Sequence, residues 1–493
     1  MNKLDEFKYN VAGKNITVIG IGISNLPLIK YLVSLGANVT ACDRRSAEDL
    51  GENYTELEKL GVKFNLGDGY LNNLSGDMIF KTPGMRYDVP ELLKAKENGS
   101  IVTSEMEVFF EVCPSHIIAV TGSDGKTTTT TLIHKMMTDA GYKTWLGGNI
   151  GNPLLTDTEK MKENDWVILE LSSFQLHTMR KSPEIAVITN ISPNHLDMHK
   201  DYKEYIDAKK NIMLYQNEGD TLIVNADNQV TADIGKSASG AVKYFSRNGM
   251  ADVYLDGNII KRGIVEILNI KDIKIPGMHN VENYMAAIAA VSGLVSKKVI
   301  VNVAKTFGGV EHRIELVRTL DGVKYYNSSI DSSPNRTINT LRVFPNKVIM
   351  IAGGKDKGIP YDEIGPALAE HVKVLILIGA TSDKIQEALD AEINKTGNDI
   401  DSLYELQKKI LDASADCVKP GGILVYSTCT ICKKENELNM KYLLGKGNFE
   451  AIDIKEYLPE NLRKFANEGY IQLLPGVNNT DGFFISAMRK KGF

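Results

Sequence analysis

An α/β fold of several units in series is what the sequence predicts, on three observations. Short runs rich in Ile and Val recur along the chain, and most lead into a helical pattern instead of a hairpin turn. Two of them end in glycine-bearing turns, Gly20-Ile21-Gly22 and Gly122-Ser123-Asp124-Gly125, placed where a strand hands over to a helix. The chain has 493 residues, and at roughly 100–200 residues per domain it calls for two to four domains.

The first unit opens with the strand Ile16-Thr17-Val18-Ile19, which runs into Gly20-Ile21-Gly22-Ile23-Ser24-Asn25. A helix is expected from about Leu26 to Leu35, closed by Gly36, and Asn38 to Cys42 reads as a second strand ending at Asp43. This is a βαβ unit with an acid at the tip of its second strand, the layout of a nucleotide-binding turn. Asn25 stands where the dinucleotide fingerprint has its third glycine, so a tight strand-to-helix connection explains the loop equally well.

The second unit begins near Pro114 with the strand Ile117-Ile118-Ala119-Val120, and further strands are expected at Trp166–Leu169 and Ile185–Ile188. The first of these leads into Thr121-Gly122-Ser123-Asp124-Gly125-Lys126-Thr127-Thr128, with a helix after it. Strand, glycine turn and helix are the context a phosphate loop requires. Glycines let backbone N–H groups curl around phosphate oxygens, and the helix N-terminus adds positive potential. Lys126 would then neutralise the β/γ-phosphates, and the Thr127 hydroxyl would serve as a ligand for Mg²⁺; the loop by itself fits an ATPase, a kinase and an ATP-driven ligase alike. Glu170 and His195 each follow one of the other strands, where a metal-binding group would face the γ-phosphate. The β-branched stretch from Gly257 to Lys274 reads as antiparallel strands, and a helix from about Val281 to Leu294 closes the unit.

The third unit starts around His312. Strands are expected at Lys347–Ile351 and Val372–Leu377. The polar run from Asn394 to Asp399 reads as a break before a helix from about Leu403 to Cys417, and Lys419-Pro420-Gly421-Gly422 turns into the strand Ile423–Tyr426.

Composition narrows the function classes. Lys and Arg number 57 against 62 Asp and Glu, a formal charge of −5 without long single-sign blocks, which argues against a general nucleic-acid binder. Hydrophobic residues at 43 % and charged ones at 24 % suit globular domains and exclude disorder as the main state. Five cysteines form no even framework, so a reducing compartment is expected. The N-terminus carries Asp5 and Glu6 where a signal peptide needs an apolar run. A cytoplasmic chain that does not engage membranes is the expectation.

The set of residues closely resembles the Mur ligases, ATP-dependent amide-forming enzymes of peptidoglycan synthesis. Within them, Glu170-Leu171-Ser172-Ser173-Phe174-Gln175-Leu176 looks like the signature of the D-glutamate-adding branch. The resemblance runs from about residue 10 to about residue 385. It implies a Rossmann-like domain over 1–112 for the uridine nucleotide, a P-loop ATPase domain over 113–310, and a Rossmann-like C-terminal domain over 311–493 for the amino acid. The implied substrates are UDP-N-acetylmuramoyl-L-alanine, D-glutamate and ATP, with Mg²⁺, in a monomer.

Carried over residue by residue, Gly22, Ile23, Ser24 and Asn25 would hold the diphosphate and Asp43 the uracil end, with Thr82 and Gly84 in another nucleotide-contacting turn. Gly122, Ser123, Asp124, Gly125, Lys126, Thr127 and Thr128 would form the ATP loop, with Asn280 and Asn283 on the adenine side and Arg313, after His312, reaching ATP from a linker. Asn149 resembles a residue near substrate and metals. Thr127, Glu170, His195 and Lys209 would hold the metals, and Lys209 matches the lysine that is carbamylated in the family. Without the resemblance, Lys209 reads as an ordinary helix lysine. Lys357, after the turn Gly353-Gly354, would meet the D-glutamate carboxylate.

Two departures mark the third unit. Ser328 and Ile330 stand where the family commonly has Asp and Lys, with Arg336 as a nearby source of charge. Further on, Cys432 replaces the substrate serine of the closing segment. There Lys419-Pro420-Gly421-Gly422, Ser427-Thr428-Cys429-Thr430 and Asp481-Gly482-Phe483-Phe484-Ile485 resemble instead the end of the RNA cytosine-5 methyltransferases, over about 400–491. In that family the Thr-Cys cysteine attacks cytosine, which would fall to Cys429. No S-adenosylmethionine loop or Pro-Cys motif precedes it here, so methyl transfer is not expected. The alternative to a working ligase is a fusion chain that binds UDP-sugar and ATP with its D-glutamate pocket replaced.

Overall fold

The computed structural model describes residues 1–193, 198–331, 333–356, 359–478, 480 and 482–492. It divides into two compact units, Met1–Ser329 and Ile330–Phe493.

Among the described residues the first unit holds the two-stranded antiparallel sheet Glu315–Leu320 with Val323–Asn327 and two large sheets. One is a five-stranded parallel sheet in the order Lys63–Leu66, Asn38–Asp43, Asn15–Ile19, Met78–Phe80, Ile101–Thr103. Its order reverses at Asn15–Ile19, the first strand in sequence, so a crevice opens beyond the C-terminal ends of that strand and of Met78–Phe80. Val18, Ala41 and Phe80 are buried in its core, as parallel strands covered on both faces require. The expected helix is present as Asn25–Ser34, and Gly36 takes φ +84° just beyond it, a backbone that glycine adopts without strain.

The second sheet has nine strands, ordered Val265–Asn269, Ile259–Arg262, Val253–Asp256, Ala241–Ser246, Thr221–Asn225, Ile185–Ile188, His116–Thr121, Trp166–Glu170, Thr144–Gly148. The three strands from Val253 to Asn269 pair antiparallel, as the stretch after Gly257 predicts; the rest of the sheet is parallel. The loop strand His116–Thr121 lies centrally between Ile185–Ile188 and Trp166–Glu170, which brings three strand ends to one place. The helices Lys126–Asp139 and Met278–Ala290 cover one face, burying Leu132, Ile133, Met136, Tyr284 and Ile288.

The second unit contains a two-stranded parallel sheet, Val348–Gly354 with Val372–Gly379, and a separate antiparallel sheet built around Ile423–Thr428 and Phe483–Lys490. The break expected at 394–399 is absent from the backbone: one helix runs from Ser382 to Cys417. Its ends serve different cores. Ile385 and Ala388 pack with Leu341, Ile364 and Leu368, whereas Leu411 and Ala415 pack with Met440, Leu443, Phe484 and Met488. Anchored at both ends, the helix absorbs the ~1 kcal/mol penalty of an interior glycine such as Gly397.

Candidate active site

The crevice of the five-stranded sheet gathers the first group of predicted residues. Gly20 has φ +88°, and a Cβ there would stand 3.2 Å from the Thr82 Cβ, so the Gly20–Asn25 loop and the Thr82–Gly84 turn lie against each other. Ile23 is 87 % exposed and free to meet a ligand. The Asn25 carboxamide turns inward instead and donates to the Ile19 carbonyl at 2.8 Å. Asp43 accepts the Ile21 N–H at 2.7 Å and is held by Arg45, whose Nε and Nη2 donate at 3.0 and 2.8 Å. Burial alone would push the Asp43 carboxyl up, but the hydrogen bonds from Arg45 and from the Arg45 and Ile21 backbone outweigh it and bring it to about 2. Asp43 therefore stays ionised, fixing the glycine turn, with Arg45 as a neighbour that sequence reading left unassigned.

The second group converges at the phosphate loop. Gly122 and Gly125 take φ +151° and +79°, and Gly125 doubles as the N-cap of the helix Lys126–Asp139. Lys126 folds across the loop, its Nζ donating to the Gly122 and Ser123 carbonyls at 2.9 and 3.0 Å. Ser123, Asp124, Thr127 and Thr128 occupy the turn and the first helical residues around it. Asn283 packs over the loop: a Cβ on Gly125 would fall 2.3 Å from its Oδ1, which also accepts from Thr129 Oγ1 at 3.3 Å. Asn280 supports it, accepting from Asn283 Nδ2 at 3.1 Å.

Glu170 is the last residue of its strand and is buried, and Asn149 from the neighbouring strand end donates to Glu170 Oε1 at 2.8 Å. Glu170 Oε2 is buried with no hydrogen-bond partner among the described residues. A buried carboxylate oxygen left in this state beside a phosphate loop is a fitting place for a cation. Lys209, on the helix Tyr202–Leu214, is 1 % exposed and donates from Nζ to the Gly122 carbonyl at 2.8 Å and to Thr121 Oγ1 at 3.3 Å. Burial, then the Lys126 charge, pushes the Lys209 amine well below the ordinary lysine value, against the pull of Glu170 and Asp124.

The structure thus brings Gly122 to Thr128, Asn149, Glu170, Lys209, Asn280 and Asn283 to one set of strand ends. His195 and Lys357 lie outside the described residues. Arg313 follows His312 in the turn before the hairpin Glu315–Leu320 and Val323–Asn327, and Ser328 Oγ accepts the Ile314 N–H at 3.1 Å. Ile330 and Arg336 belong to the second unit, as do Cys429, which is exposed, and Cys432. Three supports of the loop went unassigned in the sequence. Asn190 Oδ1 accepts the Asp124 N–H at 3.0 Å, Thr189 Oγ1 donates to the Asp124 carbonyl at 2.6 Å, and the Tyr205 hydroxyl lies 3.0 Å from Ser123 Oγ. Thr189 and Asn190 follow a predicted strand, a signal that could have found them; Tyr205 carries none.

Comparison with known proteins agrees with this geometry. Residues 14–104 match the Mur ligase MurD-like N-terminal domain, 120–291 the Mur ligase middle domain, and 378–489 the 16S rRNA methyltransferase RsmB/F family. The methyltransferase likeness therefore begins near the end of the strand Val372–Gly379, earlier than the 400 expected. The chain is 58 % identical over 394 residues to a UDP-N-acetylmuramoylalanine–D-glutamate ligase of Ruminiclostridium cellulolyticum, covering 78 % of this chain and 85 % of that one. It is 55 % identical over 410 residues to the same-named enzyme of Acetivibrio thermocellus, covering 81 % and 87 %. Among solved structures, UDP-N-acetylmuramate-alanine ligase MurC of Thermotoga maritima shares the fold, with a TM-score of 0.54 and 20 % identity over 77 % of this chain and 88 % of that one. A phosphate loop braced by Lys209, with the buried Glu170 at the neighbouring strand end, joined to identity of this extent, leaves one conclusion: the chain belongs to the Mur ligase family, in its UDP-N-acetylmuramoylalanine–D-glutamate ligase branch.

Proposed function

We propose that this chain joins D-glutamate to UDP-N-acetylmuramoyl-L-alanine at the expense of ATP, in the cytoplasmic stage of peptidoglycan synthesis that serves cell-wall growth and division. The observation that carries the reading is Lys209, a fully buried amine held against the phosphate loop. A neutral amine can take up CO₂: its lone pair forms the N–C bond, one proton leaves, and a cation becomes a carboxylate-like group. Glu170 Oε2, Thr127 and such a carbamate would then hold Mg²⁺, with His195 as a further ligand. When bound, Mg²⁺ supplies charge neutralisation at the phosphoryl oxygens.

In the reaction, the carboxylate of the UDP substrate attacks the γ-phosphorus and ADP departs. Lys126, already spanning the loop, neutralises the charge that builds on the transferring oxygens. The neutral D-glutamate amine then attacks the carbonyl carbon of the acyl phosphate, its nitrogen gives up one proton to solvent, and the tetrahedral intermediate breaks its C–O bond to expel phosphate. Gly122 to Thr128, Asn283 and Arg313 serve ATP; Gly22, Ile23, Ser24 and the backbone of Asn25, with Asp43, Thr82, Gly84 and Asn149, serve the UDP substrate; Lys357 serves D-glutamate. The division into 1–112, 113–310 and 311–493 assigns one ligand to each domain, in a monomer that binds neither nucleic acid nor membrane. No helix among the described residues is long and apolar enough to cross a membrane.

The fusion-chain alternative is not favoured, because the identity to D-glutamate ligases extends over most of the chain. The test is ATP hydrolysis by the purified full chain. Phosphate release that requires both D-glutamate and UDP-N-acetylmuramoyl-L-alanine is expected; release unaffected by either would overturn the proposal.

A further inference from the structure

Arg86 follows the Thr82–Gly84 turn by two residues, yet its guanidinium reaches the far sheet's helix layer. Nη1 donates to the Met198 carbonyl at 2.7 Å and to Glu204 Oε2 at 3.1 Å. Nη2 donates to Glu204 Oε1 at 3.0 Å and Asp88 Oδ2 at 2.9 Å, and Nε to Asp88 Oδ1 at 2.8 Å. A guanidinium has five N–H donors, and all five are placed.

We propose that Arg86 is a positioning residue of the ligase: by gripping Glu204 it holds the helix of Lys209 in register with the turn that receives the UDP substrate. The assignment rests on the ligase reading above. Glu204 sits in the first turn of the helix Tyr202–Leu214, where its N–H is capped by Asp201 at 2.7 Å and its Oε2 accepts the Lys200 N–H at 2.6 Å. The next residue, Tyr205, meets Ser123 of the phosphate loop, and Lys209 lies five residues on, against Gly122. One short helix therefore carries the grip at its start and two loop contacts along its length. Arg86 and Glu204 are partly buried, with side chains 26 % and 14 % exposed, so the charge-assisted fork is worth more than a surface ion pair.

His177 and His199 approach Glu204 at 3.6 and 3.7 Å, and the three could suggest a metal centre. Arg86 lies on both Glu204 oxygens, which puts a positive charge where the ion would bind, so the cluster is better explained as part of the grip.

The test compares wild-type full chain with Arg86→Ala, Arg86→Lys and the double variant Arg86→Ala/Glu204→Gln. A displacement of about 1 Å at a reacting group costs up to ~10²-fold in rate. A fall in kcat of at least about tenfold is expected for Arg86→Ala, with the KM for ATP within about twofold of wild type. Arg86→Lys, which keeps the charge but not the fork, should not recover the rate. The double variant should lose no more than the single one. Hydrogen exchange, which needs no turnover, should be faster over 199–214 in Arg86→Ala and unchanged over 116–121. An unchanged kcat, an equal rise in the ATP KM, full rescue by lysine, additive losses, or unaltered exchange at 199–214 would each overturn the proposal. If Arg86→Ala does not fold, Arg86→Lys carries the same comparisons. A wild-type chain without D-glutamate-dependent turnover defeats the ligase reading and leaves the exchange comparison to judge the grip.

Discussion

The Lys209 amine lies 2.8 Å from the Gly122 carbonyl, so a cation that burial pushes well below the ordinary lysine value is held against the phosphate loop. Burying an ammonium without a carboxylate is costly, and losing the proton relieves that cost.

Carbamylation follows as the first prediction. ¹³C-bicarbonate should give one labelled carbamate in the wild-type chain and none in Lys209→Ala. Because the neutral amine is the nucleophile, the labelled fraction should rise with pH at fixed CO₂. Lys209→Ala should also lose about 10²-fold or more in kcat if the carbamate replaces a charge-stabilising group of the site. Carbon NMR and steady-state rates check both; a Lys209→Ala chain with normal turnover would refute the assignment.

Two glycines of the candidate site should respond differently to alanine. Gly125 has φ +79°, and a Cβ would strike Asn283 Oδ1, so Gly125→Ala should cost ~1 kcal/mol or more of stability and abolish ATP binding. At Gly22 a Cβ meets nothing within 4 Å. Gly22→Ala should melt like wild type while the affinity for the UDP substrate falls. Calorimetric titration of each nucleotide, beside a thermal melt, separates the two outcomes.

How much of this was legible in the sequence follows from the range of the contacts. The phosphate loop and Glu170 declare themselves because each depends on a strand end and the few residues after it. Tyr205 and Arg86 act on partners 82 and 118 residues away, at separations for which no local pattern exists. The helix Ser382–Cys417 departs from the sequence pattern at 394–399 for a related reason. A polar run with a glycine reads as a break locally, but Ile385 and Leu411 anchor the two ends in different cores.

Glu105 offers a pH test within the first unit. It is buried at the start of the helix Glu105–Val112 and accepts the Leu155 N–H at 3.0 Å. Burial raises its carboxyl from 4.5 to about 7, against the pull of the Leu155 and Leu154 N–H groups. The folded chain thus holds this proton more tightly than the unfolded one. Its contribution to stability is largest below about 4.5, falls as pH rises towards about 7, and is level above that. Glu105→Gln keeps an acceptor for Leu155 without the charge. Relative to wild type it should be more stable at pH 8 than at pH 5, by an amount on the order of 1–3 kcal/mol. Urea melts at the two pH values check the sign; a difference independent of pH would reject it.

The second unit presents a face that parallel sheets rarely leave open. Ile349 pairs with Val374 and Ile351 with Ile376, and all four are exposed, at 59, 47, 66 and 45 %. In-register neighbours of a parallel pair point to the same side, so these residues form one apolar strip, with the opposite side packed on Ile364, Leu368 and Ile385. At protein concentrations well above those at which the chain works as a monomer, such a strip favours weak association, because covering it removes apolar surface from water. Ile351→Thr combined with Ile376→Thr keeps β-branched side chains on the strands while adding hydroxyls to the exposed side. Light scattering across a concentration series should show less self-association than wild type, with stability changed by no more than about 0.5 kcal/mol per site. If both chains scatter alike, the strip is not what governs association; if the variant unfolds instead, the strip is packed in solution and its exposure is not the working state of the sheet.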